Sequence, residues 1–108
     1  MKKHLEVFGL SKMLYLWQEY RQEAKDAWQK MNTLDWEQKQ LVFHNWRSGS
    51  KIFGMNEFAL KSQIIEENIL KKRFEKASLQ ILEAKELFDA EIEKVEQFFM
   101  QMEQKNDR

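Results

Sequence analysis

The stretch HNWRSGSKIFG, residues 44–54, places an imidazole, a cation and a run of small residues at helical spacing. With about 100° of rotation per residue, Trp36, Phe43, Trp46, Ser50 and Phe53 share one arc of a helix. Glu37, Gln40, His44, Arg47, Ser48 and Lys51 share the opposite arc. His44 lies near the middle of that polar arc, so its ring is expected to meet solvent. Arg47 stands one turn further on and reaches the same outer space. Ser48, Gly49 and Ser50 follow in a row, small enough to let a partner's surface approach the ring. A lone solvent-facing histidine is most often just a surface residue, and the residues around His44 are what single it out.

These residues resemble the core motif of the histidine-containing phosphotransfer (HPt) domain family. That motif runs His-x-hydrophobic-Lys-Gly-Ser-Ser/Ala, with a glycine at the tenth position after the histidine. Here it reads His44, Trp46, Arg47, Ser48, Gly49 and Ser50, with Gly54 at the tenth position. Leu34-Asp35-Trp36-Glu37, just ahead, is similar to the short acidic turn that opens the family's histidine-bearing helix. The resemblance extends over roughly residues 10–100. Two positions depart from the pattern: the lysine is Arg47, and the Gly-Ser pair is inverted as Ser48-Gly49. Arginine keeps the charge and grips phosphate bidentately, although guanidinium and ammonium are not interchangeable. Ser48 adds a hydroxymethyl group where the family has none.

The resemblance implies that His44 is a phosphoacceptor and that Arg47, with Lys51, offsets the charge of an N-phosphoryl group. It also singles out Glu66, 22 positions after His44, where the family carries Glu or Gln that in some members holds one ring nitrogen. A carboxylate on Nδ1–H fixes the tautomer and leaves Nε2 as the nucleophile. The other reading of Glu66 is a solvated glutamate on a helix surface.

The elements needed to position such a site are legible in the hydrophobic pattern. MKKHLEVF suggests a short capping segment over residues 1–9, with Leu5, Val7 and Phe8 turned inward and His4 an ordinary exposed terminal residue. Ser11 is a candidate cap for a first long helix reaching about Met31. Its apolar stripe is Met13, Leu14, Trp17, Tyr20, Ala24, Trp28 and Met31. Thr33 or Asp35 can cap the second, which carries His44 to about Ile52 and is stopped by Gly54. A third starts from an Asn56 cap and buries Phe58, Ser62, Ile65 and Ile69; a fourth starts from Ser78 and runs to about Met102. Residues 104–108 read as a polar frayed tail. Phe98 and Phe99 cannot both face one seam, which leaves one of them for self-association or for the N-terminal segment to cover. The expectation is a single all-α domain over residues 1–108, an antiparallel four-helix bundle with an N-terminal cap.

Composition supports this and excludes other classes. The 108 residues include no proline, three glycines and 13% aromatics, so helix breakers are scarce and large core groups plentiful. Lys and Arg balance Asp and Glu at 18 each. Such a chain has no overall field to attract nucleic acid or an anionic membrane. There is no cysteine, no resemblance to a signal peptide and no long apolar span, which fits a cytoplasmic location. No glycine-rich phosphate loop, Ser-His-Asp arrangement or Cys/His cluster is legible, and two histidines forty residues apart make a weak metal site.

By resemblance, then, the chain is a phosphorelay intermediate rather than an enzyme. With no nucleotide site, it takes its phosphoryl group from a response-regulator receiver aspartate or a hybrid sensor histidine kinase and passes it to another receiver. It binds no cofactor of its own, and Mg2+ is expected on the receiver. Leu41, Ser48, Gly49, Lys51 and Met55 are the expected docking residues on a monomeric protein. The alternative is an HPt-like bundle that binds partners without accepting phosphate, a reading that Ser48 favours.

Overall fold

The computed structural model describes residues 1–106, and Asp107 and Arg108 lie outside them. Among the described residues the chain is all-helical: α1 (Lys2–Phe8), α2 (Leu10–Lys30), a 3-10 turn (Met31–Thr33), α3 (Trp36–Ile52), α4 (Asn56–Leu70) and α5 (Phe74–Asn106). α5 alone is about 50 Å long at the helical rise of 1.5 Å per residue, which accounts for the 52 Å long axis of the molecule. No helix among the described residues is long and apolar enough to cross a membrane.

α3, the helix that carries His44, has sharply defined ends. Asp35 opens it with a reciprocal capping box: its Oδ1 accepts from the Gln38 amide at 2.8 Å, and Gln38 Oε1 accepts from the Asp35 amide at 3.0 Å. Gly54 closes it, with φ of 73°. The Gly54 amide donates to Lys51 O and the Met55 amide to Ser50 O, the paired bonds that satisfy a helix's last carbonyls. Met55 therefore folds back over the helix end and is buried.

The other boundaries differ from the sequence expectation, each for a local reason. Ser11 makes no capping bond, because α2 begins at Leu10 with Gly9 in the cap position. Asn56 is the first residue of α4, not its cap; Glu91 of α5 reaches across and accepts from the Phe58 amide at 3.0 Å instead. Burial pushes the Glu91 carboxyl up from its ordinary value, and the backbone donors only partly offset this. The break before the last helix falls at Lys71–Arg73, not at Ser78. Lys72 takes the left-handed conformation at φ of 60°, and the Arg73 amide donates to Asn68 O at 2.8 Å. Trp36 stacks on Phe74 at 4.8 Å, so the first residue of α5 already packs on the start of α3. At the far end α5 stays helical through Asn106, so the expected frayed tail is helix up to that residue.

The core is aromatic. Trp28, Phe43, Trp46, Phe58 and Phe88 touch one another, with ring centroids 5.0–6.5 Å apart. Trp17, Tyr20, Phe53 and Phe99 form a second group, joined to the first through Tyr20 and Phe88 at 6.4 Å. Phe99 is buried and Phe98 lies half-buried against the core. In α1, Leu5 packs on the core, but Val7 is 73% exposed and Phe8 is also exposed. Of these three only Leu5 turns inward, and Phe8 stacks on His4 while Lys12 lies over its ring.

Candidate functional site

Three positions on α3, one helical turn apart, face α4: Gln40, His44 and Arg47. Glu66 of α4 points back at all three. Its Oε1 accepts from Arg47 Nη1 at 2.8 Å, and its Oε2 lies 2.8 Å from His44 Nδ1 and accepts from Gln40 Nε2. The Glu66 side chain is 3% exposed, whereas that of His44 is 57% exposed. One carboxylate is thus sunk between the helices and saturated by three donors, while the imidazole it holds looks outward. The reading of Glu66 as a solvated surface residue is thereby overturned.

No protein-family model, curated protein or solved structure matches the chain. Burial pushes the Glu66 carboxyl up, but the hydrogen bonds from Arg47, Gln40 and His44 and the attraction of His44 outweigh it and hold the group below its ordinary value. An ionised Glu66 can only accept, so the 2.8 Å bond is donated by Nδ1–H and selects the tautomer protonated there. The lone pair is then on Nε2, at the solvent side of the ring. The cluster therefore fixes which nitrogen is free and where it points.

The depressed carboxyl has a consequence for pH. Its ionised form is favoured by folding, so its contribution to stability is present above the ordinary value of 4.5 and is lost as pH falls through the lower folded value. Urea unfolding midpoints compared between the wild type and Glu66→Gln should accordingly differ most near neutral pH. The gap should narrow as the pH is taken below about 4.5. A gap independent of pH from 6 to 3 would show that the charge on Glu66 contributes nothing.

The structure sorts the other expected site residues. Arg47 adjoins His44, but its Nη1 is directed at Glu66 rather than outward, so part of its charge is already matched within the cluster. Lys51 and Ser48 are exposed on the His44 side of α3. Leu41 is 53% exposed and remains available to a partner. Met55 is 1% exposed, folded under the helix end as described above, and cannot form part of a docking surface. Gly49 lies toward α2, where an added Cβ would stand 3.8 Å from the Tyr20 ring. Ser50 is fully buried, its Oγ 2.6 Å from the Tyr20 hydroxyl. Burial drives the Tyr20 hydroxyl far above its usual pKa despite that bond. Of the three small residues in the motif, two therefore seat α2, and only Ser48 faces outward.

Gly49 can be tested directly. A methyl at 3.8 Å is in ordinary contact, and alanine in place of a glycine inside a helix reduces the entropy lost on folding. Gly49→Ala should raise stability by about 0.5–1 kcal/mol, read from the urea midpoint. Destabilisation would mean that α2 cannot tolerate the methyl.

Two residues of the site have no role in the sequence expectation. Gln40 lies on the polar arc one turn before His44, and that position is the signal for its bond to Glu66. His4, read as a terminal residue, lines the same surface depression as His44, Arg47, Ser48, Lys51 and Ile52. Nothing in the local sequence signals that α1 lies beside α3.

Proposed function

We propose that the protein is a phosphorelay intermediate of the HPt type, with His44 as the residue that accepts and passes on the phosphoryl group. The observation that carries this reading is the contact of Glu66 Oε2 with His44 Nδ1 at 2.8 Å beneath an exposed ring. In this reading the four long helices form an antiparallel bundle, and their links of a few residues favour such neighbours. His44 Nε2 attacks the phosphorus of an aspartyl phosphate on a receiver domain. The new N–P bond forms as the P–O bond to the aspartate breaks, and the carboxylate leaves with the electron pair. Nδ1 keeps its proton throughout, donated in a hydrogen bond to the Glu66 carboxylate, so no separate base is needed. The reverse sequence delivers the group to a second receiver aspartate. Such a transfer depends on in-line placement and charge neutralisation, and the receiver supplies Mg2+ and its own lysine. Leu41, three residues before His44 and exposed, offers apolar surface on which a receiver helix would rest.

A second reading is a bundle that binds a receiver without accepting phosphate. The engagement of Arg47 by Glu66 favours it, because that charge is partly matched before any phosphate arrives. Incubation with phosphorylated receivers separates the two. Transfer predicts acid-labile, base-stable phosphate on this chain; binding without any label on it would support the second reading.

A further inference from the structure

The depression beside His44, of about 420 Å3, is lined by His4 from α1 and by His44, Arg47, Ser48, Lys51 and Ile52 from α3. Its polar lining consists entirely of groups able to donate a hydrogen bond, and no carboxylate lines it. The nearest carboxylate, Glu66, is buried behind His44 and matched by Arg47. Lys51 takes part in no ion pair among the described residues, so the depression carries uncompensated positive charge. We infer that His4, Ser48 and Lys51 form a dianion-binding site over the outer edge of the His44 ring, with His4 as a positioning residue for the phosphoryl group.

The ring of His4 is steadied for this by stacking on Phe8, one turn along α1, at a centroid distance of 6.2 Å. Phe8 in turn lies beneath Lys12. This gives Phe8 a role that its exposure would not suggest: it holds an imidazole against the site. The site also moves the charge-neutralising role from Arg47, which Glu66 engages, to Lys51, whose ammonium is unmatched. A phosphoryl dianion on Nε2 of His44 would meet donors from two helices. α1 has no buried residue and no side-chain cap, so a charge-assisted bond to His4 would help hold it in place. The identity of the dianion as a phosphoryl group rests on the phosphotransfer reading; the site itself does not.

Inorganic phosphate is the probe for the site, titrated at constant ionic strength into the unmodified protein while the imidazole C–H resonances of His4 and His44 are followed by NMR. Both rings should shift along one saturable curve. His4→Gln and Lys51→Gln should each weaken phosphate binding by about five- to tenfold, with unchanged helical circular dichroism because neither side chain is in the core. Shifts that never saturate, or an affinity unchanged in His4→Gln, would overturn the inference. Phosphoramidate, which labels histidine without a receiver, provides the second arm. The phosphohistidine formed should decay faster in His4→Gln than in the wild type, and equal lifetimes would remove His4 from the phosphorylated state. Saturable phosphate binding without transfer from any receiver would leave the site standing and remove only the phosphorelay reading.

Discussion

His44→Gln is expected to reduce phosphate labelling by a phosphorylated receiver to background while leaving the helical core intact. An amide has no nucleophilic lone pair comparable to that of imidazole, so the transfer step is lost outright and not merely slowed. The glutamine side chain can still donate to Glu66. The ring it replaces is mostly exposed, so the stability cost should be about 1 kcal/mol or less. Labelling and urea unfolding on the same preparation check both halves. Label retained in this variant would assign the chemistry to a different residue.

Glu66→Ala should have the largest effect on stability among the site residues. It removes the acceptor for three donors and leaves a void between α3 and α4. Arg47 and His44 are each substantially exposed and can turn to water, so the loss is smaller than for a fully enclosed ion pair. A cost of about 2–3 kcal/mol is expected. Phosphoryl acceptance should also fall, because nothing then selects the tautomer or holds the ring. Glu66→Gln separates the two effects. Its carbonyl can still accept from Nδ1, so it should keep more of the transfer rate than the alanine variant does. If both variants transferred at the wild-type rate, Glu66 would be a purely structural residue.

How much of this arrangement could be read from the chain alone depended on how locally each feature is encoded. The start of α3 is legible to within the pair Thr33 or Asp35, of which Asp35 makes the cap, and its end at Gly54, because capping side chains and a left-handed glycine act within their own turn. The end of α4 was not, because Lys72 adopts the left-handed conformation without a glycine to mark it. Nor was the cap of α4, which Glu91 supplies from a position 33 residues away. His44 and its outward face followed from helical periodicity, and the partnership with Glu66 from its offset in a family resemblance. The direction of Arg47 did not follow: spacing brings its guanidinium to the site but does not reveal that Glu66 competes for it. Met55, expected with Leu41 in a docking patch, is folded inward by the turn at Gly54, which nothing local to Met55 signals. His4 carries no local signal of a role, since only the path of α1 brings it to α3.

The central claim is that Glu66 holds Nδ1 of His44 and thereby presents Nε2 as the phosphoacceptor. It is tested most directly by transferring phosphate from a phosphorylated receiver to protein labelled with 15N at histidine, then locating the N–P bond from phosphorus–nitrogen coupling. The account predicts one modified residue, His44, with phosphorus on Nε2 and the proton on Nδ1. Phosphorus on Nδ1, or on any other residue, would contradict it.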